Sequence, residues 1–281
     1  MEWFEPRRLA YPWRRPRPDP YAVLVSEVML QQTQASRVAP AFERFLRSFP
    51  TVRSLATAPA AEVVRAWAGL GYNRRAVALW EAARTIVSSH GGRVPDDPSA
   101  LSELPGVGPY TAAAVASIAY GRPVAAVDTN VRRVLARAVL GIEPDAVAPD
   151  ALRAAAVSEI DRTEPGGWNQ ALMDLGREVC RPVPRCGVCP LARQCRLAAR
   201  EARPSGPRRR QSTFRGSFRE LRGRVVETVR AGPTSIGALS RLTGRTPEEV
   251  GLAVAALQAD GLVAASRAAV RGHPIGRVRL R

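Results

Sequence analysis

The sequence has no lysine, although the chain is 281 residues long and carries 42 basic residues. Every basic side chain is therefore an arginine, and no side-chain amine exists that could form a Schiff base with a sugar aldehyde or another carbonyl. This absence excludes lysine-dependent covalent catalysis and leaves only the N-terminal amine as a substitute. Histidine is scarce as well. The two histidines, His90 and His273, stand in glycine or proline surroundings typical of loops, which makes histidine catalysis a poor hypothesis.

Long apolar runs are also missing. No stretch approaches the roughly 18 residues that a membrane-spanning helix needs. Residues 1–17 are rich in arginine and proline and lack the apolar segment of a secretory signal. Hydrophobic residues make up 46% and charged residues 24% of the chain, which is an ordinary globular balance. The sequence therefore predicts a soluble cytoplasmic protein without membrane association.

The formal net charge is +17, because only 25 acidic residues oppose the arginines. A surplus of this size favours a polyanionic partner, since solvated positive charge attracts nucleic acid and releases its condensed counterions. An arginine-rich bias of the whole proteome is the alternative. Nucleic acid as partner would also place the protein at the nucleoid.

The charge is distributed unevenly along the chain. Residues 1–200 contain 26 arginines and 19 acidic residues, whereas residues 201–281 contain 16 arginines and 6 acidic residues. Near this change in density, prolines interrupt the helical pattern and three arginines follow one another. Residues 201–216 are therefore predicted to form an exposed basic linker.

Before the linker, helical patterns follow one another with short glycine or proline turns and almost no strand signal, so this part is predicted to be all-α. The patterns cover residues 20–35, 37–48, 60–70, 74–90, 99–104, 110–120, 129–140, 150–160 and 168–179.

After the linker, the order of patterns changes. Helical patterns near 217–231, 235–243 and 247–260 are followed by β-like segments at 262–266 and 276–280. This order predicts a small winged-helix-like α+β domain. A helical tail packed on the main domain is the alternative that the pattern leaves open.

Glu27 is the first unusual residue, because its carboxyl group interrupts an apolar helical pattern. A buried carboxyl group must find a partner or keep its proton with a raised pKa, and the second outcome suits a general acid. A satisfied ion pair, or a glutamate that faces out of the helix, is the alternative.

A glycine-rich segment at residues 104–112 (LPGVGPYTA) precedes a helical pattern. Its glycines permit a tight hairpin and a close backbone approach, and the following helix offers free N–H groups to an anion such as a DNA phosphate. A plain helical hairpin is the alternative.

Asp128 and Asn130 stand together at the start of another predicted helix. Either residue can cap the helix, but one cap is enough. The pair is therefore expected to leave a carboxylate to spare for a functional site.

All four cysteines lie in one run, with gaps of five, two and five residues. They are Cys180, Cys186, Cys189 and Cys195. An intracellular chain seldom builds disulfides, so four thiolates so close in sequence predict a metal centre. Zinc and a 4Fe–4S cluster both fit thiolate-only ligation, and the spacing does not separate them.

Several strings in a fixed order resemble the helix-hairpin-helix DNA glycosylases that carry an iron–sulfur cluster, and among them the adenine DNA glycosylases of the MutY type. The resemblance covers about residues 9–200. Besides the glycine-rich hairpin and the cysteine run, the strings are PWR (12–14), DPY (19–21), SEVMLQQT (26–33), WAGLGY (67–72), DTNV (128–131) and NQALMDLG (169–176).

The resemblance implies a mainly α fold divided into a six-helix helix-hairpin-helix domain at about residues 22–125 and a 4Fe–4S cluster domain at 1–21 and 126–200. The C-terminal winged-helix-like domain would occupy residues 217–281. The four cysteines would hold the cluster. The implied partner is duplex DNA with adenine opposite 8-oxoguanine or guanine, bound by a monomer that flips the adenine out of the stack.

The resemblance also implies catalytic roles. Glu27 would protonate adenine N7, because neutral adenine is a poor leaving group, and Asp128 would stabilise the oxocarbenium-like sugar. Tyr110 and Asn130 would orient the sugar and the incoming water. The product would be an abasic site.

Further residues of the quoted strings are predicted to contact DNA. Leu30, Gln32 and Tyr72 would fill the emptied stack and read the opposite base. The remaining predicted DNA-binding residues are Arg14, Gly106, Val107, Gly108 and Thr111.

Bifunctional relatives such as endonuclease III have a lysine where this chain has Tyr110, and that lysine cleaves the strand. The absence of lysine therefore predicts a monofunctional enzyme. Three departures from the family stand out: the first cysteine gap is five residues instead of six, Asp128 precedes Thr129 instead of glycine, and the C-terminal region is too short for a Nudix-like domain.

Two other functions compete with this hypothesis. A thymine or uracil mismatch glycosylase of the same superfamily also carries tyrosine at the Tyr110 position, but N7 protonation by Glu27 is useful only for a purine. A non-catalytic DNA-binding redox sensor is the second competitor, and the presence of all four implied catalytic residues argues against it.

Overall fold

The computed structural model describes residues 1–8, 11–198 and 213–281. Most of these residues are helical, and one small sheet lies near the C-terminus. No helix in the described ranges is long and apolar enough to cross a membrane. Residues 201–212 of the predicted linker lie outside the described residues.

Within the described residues, ten α-helices precede the predicted linker. They are α1 (Pro20–Leu30), α2 (Ala35–Ser48), α3 (Val52–Thr57), α4 (Ala60–Ala66), α5 (Arg74–Ser89), α6 (Pro98–Ser102), α7 (Pro109–Tyr120), α8 (Thr129–Leu135), α9 (Pro149–Glu159) and α10 (Pro165–Glu178). All nine predicted helical segments are present. A tenth, α3, was not predicted, although Thr51 and Ser54 form a capping box at its start.

Several predicted boundaries were wrong. The helix predicted at 60–70 ends at Ala66, and the one predicted to begin at residue 168 begins at Pro165. The first helix ends at Leu30 instead of residue 35, because Gln32 adopts a left-handed backbone conformation with φ of 56°. The predicted helix at 129–140 is α-helical only to Leu135 and continues as a π-helical turn over Ala136–Leu140.

Seven elements follow the linker and form a winged-helix order. They are α11 (Phe218–Ala231), β1 (Thr234–Ser235), α12 (Ile236–Thr243), α13 (Pro247–Ala259), β2 (Val263–Ala265), α14 (Arg267–Val270) and β3 (Arg277–Leu280). The sheet is antiparallel with strand order β1-β3-β2. The predicted strands correspond to β2 and β3, and the sheet excludes a purely helical tail. The sequence missed β1 and α14, which are two and four residues long.

The described residues fall into two compact units. One lies within Met1–Val28 and Val94–Arg209, and the other within Met29–Arg93 and Arg210–Arg281. In the first unit, α10 packs on α7 and α8, with Val131 and Leu135 in the core. In the second, Trp67 is fully buried and meets Phe45 edge-on, with 5.8 Å between ring centroids.

The winged-helix-like module packs on α4 and α5 within the second unit. The Arg230 guanidinium donates through Nε to the Val64 carbonyl at 3.2 Å and through Nη2 to Asn73 Oδ1 at 2.8 Å. Asp260 forms ion pairs with Arg222 and Arg74. Residues 29–93 therefore pack together with the C-terminal module, and the predicted domain boundaries stay a prediction.

Gly176 allows α10 to approach the start of α8. A Cβ atom at Gly176 would lie 2.6 Å from the Asn130 Cβ and 2.8 Å from its carbonyl oxygen. We expect Gly176→Ala to lower the free energy of unfolding by about 1–3 kcal/mol, because the two helices must separate. Thermal unfolding should show this as a lower midpoint.

Gly223→Ala is the matched control, since Gly223 lies in α11 and a methyl group added there would meet no neighbouring atom within 4 Å. This change should raise stability by about 0.5–1 kcal/mol, because alanine has the higher helix propensity. Equal midpoints for the two variants would contradict the close approach at Gly176.

Candidate active site

Glu27 is buried in α1, with 4% of its surface exposed. Asp19 precedes the helix, and its Oδ2 accepts a hydrogen bond from the Ala22 N–H at 3.0 Å. All residues from Val23 to Met29 are buried. Burial raises the pKa of Glu27 to about 7, against the smaller lowering effects of the Tyr110 hydroxyl and the Arg14 charge. The carboxyl group can therefore hold a proton near neutral pH.

Tyr110 faces Glu27 from the first turn of α7. Its hydroxyl donates to Glu27 Oε2 at 3.1 Å and lies 3.6 Å from the sulfur of Met173. Burial, together with the nearby charges of Glu27 and Asp128, holds the pKa of Tyr110 well above its ordinary value. The phenol therefore stays protonated and serves as a hydrogen-bond donor.

Asp128 is the N-cap of α8. Its Oδ1 accepts the backbone N–H groups of Asn130 at 2.8 Å and Val131 at 2.7 Å, and its Oδ2 accepts the Asn130 side-chain amide at 2.8 Å. The expectation of a spare carboxylate was therefore wrong, because Asp128 itself makes the cap. The cap fixes its orientation, and its charge still acts on Glu27 and Tyr110.

Arg14 forms a buried pair with Asp174 of α10. Nη1 and Nη2 donate to the two carboxylate oxygens at 2.6 and 3.0 Å, and both residues are at most 9% exposed. A guanidinium engaged in this way does not offer itself to a DNA phosphate, so we do not retain the prediction that Arg14 binds DNA. It acts on the site through its charge, which lowers the pKa of Glu27.

The glycine-rich segment forms a tight turn before α7. Gly106 has a left-handed φ of 75°, and Gly108 is the N-cap with no side-chain hydrogen bond to the helix end. Both glycines are exposed, whereas the side chains of Val107 and Thr111 are buried. The Val107 N–H donates to the Leu104 carbonyl at 3.1 Å, and a contact between this turn and a DNA phosphate stays a prediction.

Gln32 and Tyr72 are the two non-glycine residues with positive φ in the described ranges, at 56° and 46°. Both are exposed, and Leu30 lies partly buried at the end of α1. Strained backbone of this kind costs about 1–3 kcal/mol and concentrates at functional sites. The strain falls on two residues that the sequence predicted to enter the DNA stack.

Arg75, which the sequence did not predict, holds these two segments together. Its guanidinium donates to the carbonyls of Met29 at 2.8 Å, Gln31 at 2.6 Å and Gly71 at 3.1 Å, and to Thr33 Oγ1 at 2.9 Å. Burial lowers its pKa to about 10. No sequence signal distinguishes this arginine, because its partners are mostly backbone carbonyls from distant segments.

The four cysteines line a single cavity in the first unit. Arg137, which is 2% exposed, also lines it and places Nη1 3.9 Å from the sulfur of Cys180. No three His, Cys, Asp or Glu side chains of the described residues are arranged to hold one metal ion. The four thiols around this cavity are a donor set that fits a thiolate-bound metal centre.

Comparison with known proteins shows the family. A family model described as "HhH-GPD superfamily base excision DNA repair protein" matches residues 25–153. An adenine DNA glycosylase of Mycobacterium tuberculosis is 45% identical over 236 residues, covering 82% of this chain and 77% of the relative. One of Mycolicibacterium smegmatis is 41% identical over 267 residues, covering 94% of this chain and 90% of the relative. The chain belongs to the adenine DNA glycosylase family.

The fold agrees with membership of this family. A solved structure of a thermostable thymine-DNA glycosylase is 33% identical, covers 70% of this chain and 91% of that chain, and superposes with a TM-score of 0.64. The predicted helix-hairpin-helix glycosylase fold is thus confirmed. The match to the smegmatis adenine DNA glycosylase covers 94% of this chain, so it includes most of residues 217–281.

The raised pKa of Glu27 makes stability depend on pH. Because the folded pKa of about 7 exceeds the ordinary 4.5, this group lowers the free energy of unfolding as pH rises from about 4.5 to 7. Glu27→Gln removes the effect. The difference in the free energy of unfolding, variant minus parent, should therefore increase by about 3 kcal/mol from pH 4.5 to pH 8, as measured by urea unfolding. Glu43→Gln, at an exposed position of α2, should show no such change; a pH-independent difference for Glu27→Gln would refute the buried, protonated carboxyl group.

Proposed function

We propose that this chain removes mispaired adenine from duplex DNA by hydrolysing its N-glycosyl bond and leaves an abasic site. The observation that carries the proposal is the buried Glu27 carboxyl group, whose pKa is raised to about 7 and whose Oε2 accepts the Tyr110 hydroxyl. Membership of the adenine DNA glycosylase family supports the same substrate class.

The proposed reaction begins with proton transfer from Glu27 to adenine N7. The bond between C1′ and N9 then breaks, and its electron pair leaves with the base, so that neutral adenine departs. Positive charge develops on the sugar, where the fixed Asp128 carboxylate stabilises it. Water then adds to C1′ and gives a proton to the Glu27 carboxylate, which restores the acid, while Tyr110 and Asn130 orient the reactants. The flipped base reaches the site at an unstacking cost of a few kcal/mol.

Excision should require the acid at position 27. Glu27→Gln is expected to abolish adenine release in a single-turnover assay, because glutamine has no proton to transfer, and to bind the duplex with nearly parental affinity. Glu43→Gln is the control and should retain the parental rate. Persistent excision by Glu27→Gln would disprove the acid role.

The rate should fall as pH rises through about 7, by up to tenfold per pH unit, since only protonated Glu27 is active. The Tyr110 hydrogen bond lowers the pKa of Glu27, so Tyr110→Phe should move the falling limb to higher pH. A shift to lower pH, or no pH dependence in the parent, would contradict this assignment.

We further propose that the enzyme is monofunctional, because no lysine is available to attack the sugar. A labelled duplex with a mispaired adenine should show strand breaks only after alkali treatment. Efficient cleavage without alkali would contradict the proposal.

For the opposite base we propose 8-oxoguanine or guanine, read by Gln32 and Tyr72 with Leu30 in the emptied stack. The exposure and the positive φ of Gln32 and Tyr72 support this role. The likeness to a thymine-DNA glycosylase makes thymine or uracil opposite guanine the second candidate. An assay over duplexes with adenine opposite 8-oxoguanine or guanine, and with thymine or uracil opposite guanine, separates the two.

We also propose that Cys180, Cys186, Cys189 and Cys195 hold a 4Fe–4S cluster, with Arg137 balancing its negative charge. Such a cluster supplies cross-links between the end of α10 and the cysteine segment and can exchange an electron. Iron content and a broad absorption band near about 400 nm test the assignment; stoichiometric zinc in a colourless protein would overturn it.

A further inference from the structure

The winged-helix-like module has a helix at the position that commonly reads DNA, but its charges do not suit that role. In helix-turn-helix proteins the second helix of the pair enters the major groove. Here that helix is α13, which contains no arginine and begins with Glu248 and Glu249. Its large exposed side chain is Leu252, at 65% exposure. Glu249 pairs with Arg245 at 3.2 Å, so the carboxylate at this helix end that would repel a phosphate is that of the exposed Glu248.

The part of the module that follows α13 is the part whose positive charge no acidic residue of the same segment offsets. Residues 261–281 contain five arginines and no acidic residue. Four of these arginines are on or next to α14 and β3, and we call them the wing arginines: Arg267, Arg271, Arg277 and Arg279. All four are exposed. Among the described residues, no carboxylate pairs with any of them.

The backbone of the wing fixes the positions of these side chains. In β3, Val278 and Leu280 are buried, so Arg277 and Arg279 share the outer face of the strand. Ser266, which caps α14, donates its N–H to the Arg277 carbonyl at 3.0 Å and accepts the Arg277 N–H on Oγ at 3.1 Å. This double hydrogen bond brings the start of α14, and with it Arg267, beside Arg277.

The wing also lies within reach of the duplex that Tyr72 would contact. Arg230 donates to Asn73, the neighbour of Tyr72, and four residues later Thr234 pairs with Val278 of β3. Four residues span at most about 14 Å, and paired strands lie about 5 Å apart. Val278 is therefore within about 20 Å of the Arg230 backbone. With the Arg230 and Asn73 side chains added, it lies within about 36 Å of Tyr72, which is about one turn of duplex DNA.

We propose that the wing arginines bind the phosphate backbone of the duplex that flanks the excised base, and that α13 stays off the DNA. The inference rests on the proposed function in that duplex DNA is the substrate. It gives the C-terminal module a partner and a contacting surface, and it locates part of the basic surplus that the sequence left unassigned.

The test uses the full chain and an undamaged fluorescent duplex of about 30 base pairs, so that no excision intervenes. In one variant all four wing arginines become glutamine. We expect its Kd to rise at least about tenfold near 100 mM salt. A plot of the logarithm of the binding constant against the logarithm of the salt concentration has a negative slope. Its magnitude should decrease by about 2–4, because each lost phosphate contact removes about 0.9 from it.

The matched control removes four exposed arginines elsewhere in the same unit: Arg44, Arg47, Arg65 and Arg93, each changed to glutamine. It should raise Kd by less than about threefold. Equal losses for the two variants would overturn the proposal, because general charge and not the wing would then govern binding. Parental affinity and salt slope in the wing variant would overturn it as well.

Further variants keep the test decisive if the simultaneous replacement of all four wing arginines unfolds the module. Two single substitutions, Arg271→Gln and Arg277→Gln, should each decrease the magnitude of the slope of the salt dependence of DNA binding by about 1. Glu248→Gln on α13 should leave Kd unchanged, whereas tighter binding would show that α13 faces DNA. Adenine release by the parent protein is measured separately, so a failure of the proposed function is distinguishable from a failure of the wing proposal.

Discussion

The burial of one carboxyl group, that of Glu27, is the constraint to which the rest of the proposed site is fitted. An ionised carboxylate among apolar residues is costly, so the surroundings must either neutralise it or let it keep a proton. Tyr110 supplies a hydrogen bond, and Arg14 supplies a charge already engaged with Asp174. The balance leaves the pKa of Glu27 about 7, within the range useful for acid catalysis at neutral pH.

Several arginine side chains hold distant segments of this chain together through hydrogen bonds to backbone carbonyl groups. A guanidinium offers five donors in a planar fork, so one side chain can satisfy several carbonyl groups where chain segments end. Arg75 does this for the segments that carry Gln32 and Tyr72, and Arg137 does it beside the cysteines, where it donates to the carbonyls of two residues that follow Cys180. In the C-terminal module, Arg230 likewise donates to the Val64 carbonyl and to the Asn73 side chain. The same residue type therefore provides both internal cross-links and the surface charge proposed to meet DNA.

Local patterns predicted nearly every helix because apolar periodicity, caps and glycine turns act over a few residues. They failed where the signal is short, as in α3 and β1, and where a distant contact decides the outcome. Asp128 was expected to be spare but caps α8, and Arg14 was expected on the DNA but pairs with Asp174. Arg75 was not singled out at all, since backbone carbonyls leave no trace in a sequence.

The sequence by itself determined the all-arginine chemistry, the run of four cysteines and the unusual carboxyl group within an apolar helix, because these depend on residue type and spacing alone. The tertiary structure decided which residues surround Glu27, that Asp128 is an oriented cap, and that residues 29–93 pack with the C-terminal module. It also decided that four exposed arginines of this module share the wing, whereas α13 carries none. These outcomes depend on burial and on contacts between distant segments, which set pKa values and exposure and which periodicity does not encode.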